Sequence, residues 1–97
     1  DYPKPEVEKE IVIKESGVEA QVAQKLVTIA SQIRNLSEND IQEAVSTRLL
    51  VYAAKLITRG FNPYDACMHS IVESLSDEEE VLEALEKLIA LHFIKDK

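Results

Sequence analysis

Tryptophan is absent from this chain of 97 residues, and cysteine and methionine occur once each. A lone cysteine, Cys67, excludes any intramolecular disulfide. Set in an apolar helical stretch, it reads as a buried, inert thiol, and such sparse cysteine usage fits a reducing cytoplasm. The two glycines, Gly17 and Gly60, stand alone, so no glycine-rich loop is available to cradle a phosphate. No acidic strand-end motif offers magnesium a ligand, and no catalytic centre is visible. His69 and His92 lie far apart with no Cys or His at ligand spacing, so no metal site is expected. No apolar run approaches the ~18 residues of a membrane span, and no signal-like segment opens the chain. Internal repeats, low-complexity tracts and alternating strand patterns are missing too.

What is present favours helices: alanine, leucine, glutamate and lysine dominate. Apolar residues make up 45% and charged residues 30%, the balance of one globular domain rather than a disordered segment. A chain of this length buries somewhat over ~60% of the surface it would expose unfolded. The net charge is −7 and unevenly spread, with seven acids in residues 76–97 against Lys87, Lys95 and Lys97. Nucleic acids and anionic membranes attract clustered Lys and Arg, so an acidic end of this kind disfavours both. Asp77–Glu80 reads as a solvated helix start, with a docking surface for a partner as the sharper alternative.

The expected architecture is all-α, a compact bundle of four to five helices. Residues 1–5, with Pro3 and Pro5, form a linker into a helix that starts at residue 5 or 6. Glu6, Glu8 and Glu10 enrich its early part in acid, and Gly17 offers a left-handed residue at its end. A second helix spans about Glu19 to Asn35, where Val22, Leu26, Ile29, Ile33 and Leu36 recur at helical spacing. Residues 37–45 are ambiguous. Ile41, Val45, Leu49, Tyr52 and Leu56 keep the helical period, so pattern alone permits one long helix from about 38 to 59. Gly60, preceded by Arg59, closes this third helix; Asn62 caps a fourth and Pro63 takes its first position. Tyr64, Met68, Ile71 and Leu75 supply the buried stripe of that helix. Ser76 and Glu79 form a capping box for a fifth, whose inner face holds Val81 or Leu82, then Leu85, Leu88, Ile89 and His92.

The run Ser46-Thr47-Arg48-Leu49-Leu50-Val51-Tyr52-Ala53-Ala54 puts one arginine just inside the apparent start of an apolar helix. A cation there costs ~0.3–1 kcal/mol against the helix dipole. The same place suits an anion, because free N–H groups, the dipole and a guanidinium fork all favour phosphate. Together with Asp1-Tyr2-Pro3, Ile33-Arg34-Asn35-Leu36, Arg59-Gly60-Phe61-Asn62-Pro63 and Val72-Glu73-Ser74-Leu75-Ser76-Asp77-Glu78, this run resembles the C-terminal region of the CbbQ/NirQ/NorQ family, in the MoxR branch of AAA+ ATPases. The likeness covers essentially the whole chain and is most specific in the STRLL segment; Ser74 stands where the family pattern has proline.

The resemblance implies a loop or short turn before a helix that starts near Ser46, and this break is preferred to the long helix. It implies a linker (residues 1–5) from an absent ATPase core and a helical lid (residues 6–97); the missing initiator methionine agrees with such a fragment. Arg48 becomes the sensor-2 arginine that reads the γ-phosphate of ATP. Ser46 and Thr47 would cap the helix rather than touch nucleotide, and Tyr2 would lie near the adenine at the joint of lid and core. The full-length parent would use ATP and Mg in a ring, a hexamer in expectation. A von Willebrand factor A-type protein would be its partner, and Rubisco or nitric oxide reductase its metalloenzyme-type client. The fragment alone would hold no cofactor and would not hydrolyse ATP.

Three alternatives stand beside this reading. Arg48 could be a solvated arginine paired with Glu43 or another local acid. The whole chain could be a stand-alone acidic helical interaction module. A DNA-binding helix-turn-helix is the weakest, since residues 62–75 contain no Lys or Arg for a recognition helix.

Overall fold

The computed structural model describes residues 3–35, 45–72 and 79–94. Five helices lie among them: α1 (Pro5–Ser16), α2 (Ala20–Arg34), α3 (Thr47–Thr58), α4 (Pro63–Cys67), which continues as a π-helical turn over Met68–Val72, and α5 (Glu79–Ala90). The chain is all-α, as its composition requires. Tyr2, Leu36, Leu75 and Ser76 of the expected capping box lie outside the described residues, as do residues 37–44.

The helix ends follow local chemistry. Pro5 occupies the first turn of α1, where its missing N–H costs nothing. Gly17 ends that helix in the left-handed region at φ 79°, and its amide donates to the Ile13 carbonyl at 2.7 Å. Gly60, at φ 103°, ends α3 similarly: its amide bonds the Ile57 carbonyl while that of Phe61 reaches back to Leu56. Asn62 then caps α4, its side-chain oxygen accepting from the Asp65 amide at 3.2 Å, with Pro63 in first position.

The core gathers around α2, whose Ala23, Leu26, Val27, Ile29, Ala30 and Ile33 are all buried. They meet Val12 of α1, Leu50, Ala53 and Ala54 of α3, Ile71 of the π-helical turn, and Leu85 and Ile89 of α5. Each fully buried side chain of Leu or Ile size contributes about 1.5–3 kcal/mol relative to exposure. The long-helix pattern does not describe α3. Leu49 and Leu56 are only half-buried and Tyr52 is 51% exposed, while Leu50, Ala53 and Ala54 face the core. Ser46, at φ −96° and ψ 163°, is extended, so no continuous helix can run through it.

The π-helical turn was not legible in the sequence, which reads as plain α-helix across residues 62–75. Within it the buried Ser70 hydroxyl donates to the Ala66 carbonyl at 2.6 Å, four residues back. That bond competes for the acceptor an α-helix would give to the amide of Ser70 itself. One residue before this turn, Cys67 is fully buried, and burial pushes its thiol up from 9.0 to about 12. Tyr64, also buried, is raised in the same direction by burial, then by the carboxylates of Glu86 and Asp65.

One polar cluster interrupts the apolar core. Glu8, in the part of α1 expected to carry solvated acids, is 1% exposed. Its carboxylate accepts from Arg34 Nη1 at 2.9 Å and Nη2 at 2.8 Å, and from the Thr47 hydroxyl at 2.7 Å. Arg34 turns its other fork to the Val45 carbonyl, donating from Nε at 3.0 Å and Nη2 at 2.9 Å. This cluster lies at the start of α3, beside the extended Ser46. The Val45 carbonyl, which a continuous helix would offer to the Leu49 amide, is occupied by Arg34, and that amide turns to Ser46 Oγ at 3.3 Å.

Removing Glu8 should take from the buried Arg34 the carboxylate that both of its η nitrogens reach. Glu8→Ala is expected to lower unfolding stability by about 3–5 kcal/mol, measured by guanidinium denaturation followed by circular dichroism; a loss under about 1 kcal/mol would show that the pair holds nothing together. Cys67 yields a second expectation. At pH 8 its thiolate fraction in the folded chain is roughly a thousandfold below that of the unfolded chain, so alkylation should proceed only through unfolding. Because the folded thiol binds its proton more tightly, its stabilising share is complete below about pH 9 and is lost as the pH rises through about 12. Denaturation midpoints that do not fall between neutral pH and pH 10.5 would contradict this sign.

Candidate functional site

Three of the four residues singled out in the sequence meet at the start of α3. Ser46 is the N-cap residue, its side chain accepting from the Leu49 amide. Thr47 was expected to help cap the helix and does something else: its hydroxyl is spent on Glu8 across the interface with α1. Arg48 follows in the first turn, exposed to solvent. Tyr2, the fourth, lies outside the described residues.

Among the described residues no carboxylate forms an ion pair with Arg48; the one ion pair there joins Arg34 to Glu8. Glu43, the local acid considered as its partner, is outside them. The first turn of α3 holds no acid, so the dipole at this end is not offset within the helix. Along the outer side of the helix, Arg48, Leu49, Val51, Tyr52 and Lys55 line a shallow cleft, apolar along its length and carrying a cation at each end of that run. Chemically this place can bind an anion at the helix start and stack or pack an apolar group beside it. Among the described residues that line it there is no Ser, Cys, His or carboxylate.

The other chemistry-bearing side chains do not join this site. His92 bonds Gln32 Oε1 at 2.9 Å, tying the turn after α5 to α2. His69 stands edge-on to Phe61 at 6.4 Å between ring centres. Lys25 lies 5.6 Å over the ring of Phe93. Among the described residues no three His, Cys, Asp or Glu side chains converge as metal ligands, and no helix is long and apolar enough to cross a membrane.

Glu8 and Arg34 are the residues that sequence reasoning missed. Arg34 was noted only within a matching segment, and Glu8 only as one of several acids near a helix start. A signal existed in α2: Ala23, Val27 and Ala30 recur at helical spacing and lead directly to Arg34, placing the arginine on a buried face.

Sequence comparison with known proteins places the chain in a family. Residues 8–92 match the sequence pattern of the family described as CbbQ/NirQ/NorQ C-terminal, beginning at the buried Glu8. The protein CbbQ of Hydrogenophilus thermoluteolus is 48% identical over 85 residues, covering 88% of this chain and 32% of that protein. The denitrification regulatory protein NirQ of Pseudomonas aeruginosa is 40% identical over 92 residues, covering 95% of this chain and 35% of that one. NorQ of Paracoccus denitrificans is 44% identical over 93 residues, covering 96% and 34%. The chain thus spans about a third of the length of these relatives. With the matched pattern covering nearly all of its described helices, the chain belongs to the CbbQ/NirQ/NorQ C-terminal family.

Proposed function

We propose that this chain is the C-terminal helical lid of a MoxR-type AAA+ ATPase and that Arg48 is its sensor-2 arginine. One observation carries the reading: Arg48 stands exposed and without an ion pair among the described residues, at a helix N-terminus free of acids, inside the STRLL segment. The length of the relatives supports it, since roughly two thirds of each lies outside the matched region. An ATPase core would account for that remainder.

The residues here fit a phosphate and nothing more of a nucleotide site. The guanidinium fork of Arg48, at the positive end of the α3 dipole, would meet the terminal phosphate of ATP, which supplies negative charge at that point. Ser46 and Thr47 serve the helix and its packing. The phosphate-cradling loop, the magnesium ligands and the water-activating residue belong to the core. Loss of the terminal phosphate would remove the charge Arg48 holds and release the lid, so the domain would report the nucleotide state to the rest of the assembly. In this reading the parent forms a ring, a hexamer, and acts with a von Willebrand factor A-type protein in the cytoplasm. Its client is Rubisco or nitric oxide reductase, as the family resemblance implies; among the relatives, NirQ is named as a denitrification regulatory protein.

The test is Arg48→Ala in the full-length protein. The variant should fold, stabilised by no more than about 1 kcal/mol through loss of a cation from a helix start. ATP turnover should fall by at least about tenfold, the order expected when one charge-stabilising donor is removed, or nucleotide-dependent assembly should fail. Turnover and assembly equal to those of the unaltered protein would sink the sensor role.

A further inference from the structure

The Glu8–Arg34 cluster makes more bonds to the start of α3 than its own charge balance needs. A carboxylate and a guanidinium satisfy each other through one fork. Here the second fork of Arg34 closes on the Val45 carbonyl, and Glu8 Oε2 also takes the hydroxyl of Thr47. The cluster therefore grips the two residues on either side of the N-cap Ser46, and Arg48 is the next residue along.

The other end of the cluster is equally local. Glu8 sits one turn into α1, its amide bonded to the carbonyl of Lys4 at 2.8 Å, and Lys4 follows directly on Pro3. The path from the segment entering α1 to Arg48 is then one helical turn, one carboxylate, one hydroxyl and one peptide. It does not pass through the apolar core. Stability alone does not explain such a device, because buried ion pairs can be replaced by apolar residues of similar volume at little or no cost. Directional bonds to Val45 and Thr47 fix a position that apolar contact would leave less defined.

We propose that Glu8 and Thr47 are positioning residues for Arg48. They clamp the first turn of α3 to the first turns of α1, so that the arginine holds a fixed place relative to the segment through which the lid joins its core. The proposal rests on the reading of Arg48 as the phosphate-sensing arginine.

The experiment uses the full-length protein and Thr47→Val, which keeps the shape of the side chain and removes the hydroxyl. Its kcat for ATP should fall roughly tenfold, as a misplaced charge-stabilising group loses its grip on the transition state, while assembly and circular dichroism are unchanged. Thr47→Ser, which keeps the hydroxyl, should restore turnover. In an Arg48→Ala background Thr47→Val should have no further effect, since there is nothing left to position. Should Thr47→Val fail to fold, Thr47→Ala carries the same expectations. Three results overturn the proposal: normal turnover in Thr47→Val while Arg48→Ala is impaired, which leaves the Arg48 reading standing; an equal fall from Thr47→Val with and without Arg48; and no rescue by serine. Normal turnover in Arg48→Ala overturns the proposal as well, and normal turnover together with normal assembly overturns both readings at once.

Discussion

A carboxylate and a guanidinium taken out of water together set the geometry of this domain. The effective cost of burying such charges is still several kcal/mol per ion after relaxation. It is tolerated here because the bonding capacity is used: three donors reach Glu8, and both forks of Arg34 find acceptors. Three helices must then meet in one arrangement. α1 brings the carboxylate, α2 the guanidinium, and α3 must begin at Thr47, because the carbonyl that would continue a helix backwards is already bonded to Arg34. The apolar core holds the same helices together through non-directional contact. The cluster decides where α3 starts.

Much of the fold was legible because its boundaries are written in residues with unusual physics. Pro5, Gly17, Gly60 and the pair Asn62-Pro63 each do at a helix end what they do in any chain. Burial in α2 followed its periodicity, with Leu26, Ile29 and Ile33 fully buried. Periodicity misled at α3, where Val45, Leu49, Tyr52 and Leu56 keep helical spacing although Ser46 is extended and Tyr52 faces solvent. The deciding partner of Val45 is Arg34, eleven residues earlier, and no local window contains that information. The π-helical turn after Cys67 escaped for a related reason. It accompanies one serine hydroxyl taking a backbone acceptor, a choice that hydrophobic patterning does not record.

The candidate site divides along the same line. Arg48 was readable, because a cation in the first turn of an apolar helix is anomalous by itself and the structure leaves it exposed. The bonds on either side of Ser46 were not. Glu8 looked like an acid complementing the dipole of α1, a role Glu6 beside it fills while Glu8 turns inward. Thr47 looked like half of a cap that Ser46 completes alone. A residue's own chemistry announces that it is out of place. Its partner becomes visible only when the fold brings the two together.

The charge layout of this acidic chain differs at one helix end. α1, α4 and α5 each place acids in the first turn, which offsets the positive end of the helix dipole. α3 has none there and carries an arginine instead. The net charge of −7 acts over distances that salt screens, beyond about 8–10 Å at physiological ionic strength. Near the start of α3 the described residues supply the helix dipole and Arg48, with Lys55 further along the same face. Long-range repulsion therefore excludes polyanions, whose many phosphates must approach together. On the proposed reading, a single phosphate delivered by a docked domain would arrive inside the screened region, where the dipole of α3 and Arg48 attract it.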